Sequence, residues 1–189
     1  MPLSLERCAV AAACVVMLGA ASRAAAEPSA EPSVALLAGY ARELSAEPIP
    51  YYRVGLGVRG GFNVGYLYAG ASLLWHFGES QRASGEGNSY DAGFHAACLG
   101  GELGLSLTPG RFVLRPYAGV GWLALRGHTT VRGVTRRDDV DALFVAPGVV
   151  GLYRVARYFF GLDARIVMAP SQAVERWAAG GLAVVGASL

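Results

Sequence analysis

The chain predicts an all-β fold: eight antiparallel strands joined up-and-down and closed into a transmembrane β-barrel. Three observations predict it. Eight segments of strand length can be marked off, and most alternate apolar with polar or small residues at period two. Short turns and longer polar stretches alternate strictly between them, as in a barrel with two unlike rims. The third and eighth segments offer no charged side chain to water on either face, which suits lipid and not a secreted soluble monomer.

The front of the chain reads as an export signal. Arg7 is the basic element, and an apolar run extends from Cys8 to about Ala21. Ala24-Ala25-Ala26 gives a small-x-small site that places cleavage between Ala26 and Glu27. The run is shorter than the ~20 apolar residues of a spanning helix. The domain order is therefore a signal peptide over 1–26, a disordered Glu/Pro/Ser-rich leader over 27–33 and a barrel over 34–189.

The eight strands are expected near Val34–Arg42, Tyr52–Gly60, Val64–Phe77, Ala92–Leu107, Arg111–Arg126, Val140–Tyr153, Arg157–Met168 and Trp177–Leu189. Each reaches about the ~9–11 residues that a tilted strand needs to cross a bilayer. In the second, Val54, Leu56 and Val58 share one face, and Arg53, Gly55, Gly57 and Arg59 the other. In the third, Leu67, Ala69, Ala71, Leu73, Trp75 and Phe77 form an apolar row, with Tyr66, Tyr68, Gly70, Ser72 and His76 opposite. Glu102 shares a face with Gly100, Gly104 and Ser106 in the fourth, and Arg115 with Tyr117, Gly119 and Gly121 in the fifth. In the seventh, Tyr158, Phe160, Leu162, Ala164, Ile166 and Met168 lie opposite Arg157, Phe159, Gly161, Asp163 and Arg165. The sixth and eighth are too apolar on both faces for parity to separate them.

Short turns are expected at Gly61–Phe62, Pro109–Gly110 and Val155–Ala156. Long loops are expected at Glu43–Tyr51, Gly78–Asp91, Gly127–Asp139 and Ala169–Arg176. Pro109 and Gly110 suit the centre of a type II turn. That register sets Glu102 opposite Tyr117 and Gly104 opposite Arg115, making Glu102 and Arg115 diagonal neighbours. A turn at Val155–Ala156 sets Gly148 opposite Asp163 and Ala146 opposite Arg165. Trp75, Phe77, Trp122 and Trp177 then fall near one interface, and Phe112, Tyr158 and Phe160 near the other, as aromatic girdles do.

Composition narrows the function classes. Charged residues make up 16% of the chain, below the ~25% usual in soluble domains. All sixteen basic residues are Arg, dispersed, with a net charge of +2, so no nucleic-acid patch is supported. Cys8 and Cys14 leave with the signal and Cys98 stands alone, which excludes a disulfide framework. No cofactor or metal site is indicated, since His76 and His95 fall on opposite faces and His128 lies in a loop.

The segment Leu114-Arg-Pro-Tyr-Ala-Gly-Val-Gly-Trp122 resembles the Arg-Pro-Tyr-x-Gly-x-Gly strand of small OmpA/OmpX/OmpW-like outer-membrane barrels. The resemblance implies residence in a Gram-negative outer membrane among lipid and lipopolysaccharide, with insertion by the barrel-assembly machinery. Those families end in an aromatic residue; here the end is Leu189.

Arg53, Arg59, Glu102, Arg115, Asp163 and Arg165 are the lumen candidates, read as an ion-pair network because a narrow barrel must pair the charges it buries. The expected function is non-enzymatic: envelope structure, or contact with a surface ligand through loops such as Gly127–Asp139. Three alternatives stand beside it. One is a narrow pore for small solutes. Another is an outer-leaflet lipid A acyl hydrolase or transferase, for which His128-Thr129-Thr130 is the relevant local pattern. The third is a secreted lipocalin-like barrel with its apolar rows turned inward.

Overall fold

The computed structural model describes residues 30–44, 51–85, 88–171 and 174–189. Alternating side chains drive eight strands: β1 Glu31–Glu43, β2 Val54–Val64, β3 Leu67–Gly85, β4 Asn88–Leu105, β5 Phe112–Val131, β6 Val134–Val155, β7 Tyr158–Ser171 and β8 Val174–Ser188. Each pairs antiparallel with the next. β8 returns to β1, from Ser33 opposite Ser188 to Glu43 opposite Ala178, and closes the barrel. The expected signal, and Ala26 and Glu27 at its cleavage site, lie outside the described residues. Of the expected leader, Glu31, Pro32 and Ser33 are ladder residues instead, opposite Asn63, Phe62 and Gly61. Pro32 is tolerated there because it stands at the very start of a strand.

All three short turns sit further along the chain than expected. β2 runs through Gly61–Phe62 and turns at Gly65–Tyr66, where Gly65 has φ 60°. Gly61 stays within the strand because the Tyr68 ring occupies the space beside it; a Cβ there would lie 2.6 Å from that ring. The β4–β5 turn centres on Gly110–Arg111, with the Phe112 N–H donating to the Pro109 carbonyl at 3.3 Å. Gly110, at φ 67°, therefore takes the first central position rather than the second. A positive φ there matches the twist of the flanking strands, which a type II turn would splay. The β6–β7 turn is Ala156–Arg157, with Ala156 at φ 51°.

Each of the last two slips moves the register by two residues. Glu102 faces Gly119, Gly104 faces Tyr117, Gly148 faces Arg165 and Val150 faces Asp163. A shift of two leaves every side chain on its face, so the expected faces hold within the strands; Tyr66 and Arg157, expected on inward faces, lie in turns instead and are exposed. In β7, Leu162 is 70% exposed and Asp163 beside it 1%. β6 buries Ala142, Phe144, Ala146, Val150 and Leu152, and β8 buries Ala178, Leu182 and Val184, which settles the two strands that pattern left open.

Three of the expected long loops are largely strand. β3 and β4 pair up to Gly85 opposite Asn88, and β5 and β6 up to Val131 opposite Val134, across an Arg132–Gly133 turn. β7 and β8 likewise pair up to Ser171 opposite Val174. Over Gln81–Ala83 and Val131–Asp139 neither face is buried, so polar residues occupy both and the sequence reads as loop. The ladder nevertheless continues, and β5 and β6 reach 20 and 22 residues against 11 in β2.

Bending so narrow a barrel brings some inward backbones very close. A Cβ on Gly161 would overlap the Gly151 carbonyl, whereas a Cβ on Gly151 would meet nothing. Gly161→Ala is expected to destabilise the refolded barrel by about 1–3 kcal/mol, and Gly151→Ala to stay within about 0.5 kcal/mol of the parent. Urea unfolding in lipid vesicles measures both, and equal costs would contradict this strand spacing.

Candidate functional site

The lumen holds a polar layer between two apolar ones. Leu37, Leu74, Ala96, Cys98, Leu123, Leu125, Ala142, Phe144 and Val167 fill it on the side of the long strands. Val113, Leu152, Phe159 and Val184 fill it beside the short turns. Between them Arg59, Ser72, Glu102, Arg115, Asp163 and Arg165 are all buried. Inward glycines make the room: Gly104 and Gly119 lie against Arg115 and Glu102, Gly61 and Gly70 against Tyr68, Gly148 against Tyr117 and Gly100 against Phe144.

Four of the six expected residues form one cluster. Arg59 Nε faces Glu102 Oε2 at 2.8 Å, and its Nη2 donates to Glu102 Oε1 at 3.2 Å and to Asp163 Oδ2. Arg165 donates to the same Asp163 oxygen and lies 3.7 Å from Glu102 Oε1. Ser72 Oγ donates to Glu102 at 2.7 Å and Tyr117 OH to Asp163 Oδ1 at 2.8 Å. Two guanidinium groups thus meet two carboxylates, with two hydroxyls occupying further lone pairs. Both guanidinium groups also stand over the Tyr117 ring, at 5.1 and 5.6 Å.

The other two lie elsewhere. Arg115 meets no carboxylate among the described residues. Its Nε donates to Ser106 Oγ at 2.9 Å and its Nη2 to Asn63 Oδ1 at 3.3 Å, and the guanidinium lies 3.8 Å from the Tyr68 ring centre. The expected diagonal with Glu102 fails because the turn sits one residue later. Arg53 stands at the rim outside the lumen, paired with Glu79. Hydrogen bonds from Gln81 and then Arg53 hold the Glu79 carboxyl below the usual carboxylate range.

Asn63, Ser106, Tyr68 and Tyr117 belong to the lumen as much as the ions do. Parity alone would have found Asn63 had β2 been extended past Gly60. Tyr51 and Tyr52 were missed altogether. They are buried at the lumen top, edge-on to Phe94 and His76 with ring centres 5.3 Å apart in each case.

On the outside, the girdle residues Trp75, Phe77, Trp122 and Trp177 are exposed, and Tyr40 joins them. On the opposite side Phe112, Tyr158 and Phe160 are exposed as well. There Tyr153, unassigned from the pattern, bridges Phe112 and Phe160 at 5.0 and 5.6 Å. Between the two aromatic rows the outward positions of all eight strands carry no charged residue.

Past the upper row the outward face turns polar. A cleft of about 480 Å³ is lined by His95, Arg126, Gly127, His128, Thr130, Thr135, Arg137 and Asp139. His95 stacks on Trp75, ring centres 4.9 Å apart, and so faces away from the buried His76. The Thr130 and Thr135 hydroxyls pair at 2.9 Å. No hydrogen bond joins Thr130 to His128 among the described residues.

No protein-family model and no curated protein matches the chain. Solved structures do. Neisserial surface protein A (NspA) superposes with a TM-score of 0.57 at 15% identity, covering 85% of this chain and 99% of that one. Ail, the attachment invasion locus protein of Yersinia pestis, solved with the heparin analogue sucrose octasulfate, gives 0.57 at 9% identity over 87% of this chain and 100% of its own. A major outer membrane protein from Thermus thermophilus gives 0.57 at 13% identity over 85% and 100%. The fold is that of the small eight-stranded OmpA/OmpX-type outer-membrane barrels.

Removing one charge from the cluster leaves its partners buried and uncompensated. Asp163→Asn is expected to cost about 3–5 kcal/mol, and Tyr117→Phe, which removes one donor, about 1–3 kcal/mol. Urea titration of refolded protein reads both; an Asp163→Asn barrel as stable as the parent would mean that the cluster is not formed.

Proposed function

We propose that the protein is an integral outer-membrane barrel with a filled lumen that carries a rigid extracellular β-sheet for contact with a surface ligand, without enzymatic activity. The observation that carries the reading is the uncharged band between two aromatic rows. Each of the eight strands turns alternate side chains outward, and across that band none is ionic. Water would leave this a large exposed apolar patch. Hydrocarbon favours it, and ladder closure satisfies the backbone. The soluble lipocalin-like alternative requires the apolar rows inside, but the interior is where Arg59, Glu102, Asp163 and Arg165 lie.

The apolar layers above and below the charged cluster support a plugged barrel over a pore. The Thr130–Thr135 pair supports a non-enzymatic outer face, since an acyl hydrolase would need that hydroxyl on a base. Export through the N-terminal signal and insertion by the barrel-assembly machinery belong to the same reading. Contact with a ligand is supported by β3 to β6 continuing past the girdle, with Arg132, Arg136 and Arg137 exposed at or beside the β5–β6 tip. It is supported also by the complex of Ail with a heparin analogue.

Leu162→Arg, at the centre of the band, is expected to cost about 2–4 kcal/mol in phospholipid vesicles. A cost near zero would mean that water wets this face. Replacing residues 127–139 by a two-residue turn is expected to leave a heat-modifiable barrel in the membrane fraction. The same change should abolish adhesion of displaying cells to an immobilised sulfated glycan; adhesion at the parent level would exclude this hairpin as the contact.

A further inference from the structure

We draw no further inference here: the strongest candidate, the exposed apolar pair Val131 and Val134 on the lumen-side face of the β5–β6 hairpin beyond the upper aromatic row, is an unpartnered apolar face, and nothing in the structure shows what covers it.

Discussion

The structure depends on closure. In hydrocarbon an unpaired N–H or C=O costs several kcal/mol, and no water is present to take its place. The β1–β8 ladder, eleven residue pairs from Ser33–Ser188 to Glu43–Ala178, removes the two edges that an open sheet would leave. Once the ring is closed with eight strands, its interior is only wide enough for side chains. Every inward position must then be filled or left as glycine, and every outward position within the bilayer must be apolar. Parity along each strand thereby becomes a physical constraint on both media at once.

That constraint explains what was legible. The outward row of β7 and the inward Asp163 and Arg165 follow from alternation alone, and they survive a turn misplaced by one residue, because such an error moves the register by two. What did not survive were pairings. Arg115 was drawn to Glu102 by an assumed type II turn; with Gly110 in the first central position, Glu102 sits opposite Gly119, and Arg115 finds Ser106, Asn63 and Tyr68 instead. Glycines were ambiguous in the same way. Gly61–Phe62 reads as a turn, yet Gly61 is small so that Tyr68 can lie inside. The strands beyond the upper aromatic row were illegible for a different reason: with no buried face, Arg136, Arg137, Asp138 and Asp139 leave no periodic signal, although their backbones pair fully with β5.

The buried charges show how a small lumen balances two demands. Arg59 and Arg165 against Glu102 and Asp163 are neutral as a set, and each carboxylate also accepts from a hydroxyl. Arg115 is the surplus positive charge. It is accommodated by neutral acceptors and by an aromatic face, both of which stabilise a cation without introducing another buried anion. The placement matters: had Arg115 joined the cluster, three guanidinium groups would compete for two carboxylates.

The sheet above the membrane poses the opposite problem, because it has edges. β7 pairs with β6 only from Met168 opposite Val145 downward, so Val134–Phe144 has no ladder partner on that side among the described residues. A bare edge of that length invites strand addition, and natural sheets blunt such edges with charge. This one carries Arg136, Arg137, Asp138, Asp139 and Asp141 within eleven residues. Both signs are present, so a docking strand would have to match two basic residues followed by three acidic ones as well as bury polar groups. The edge is therefore protected against backbone pairing.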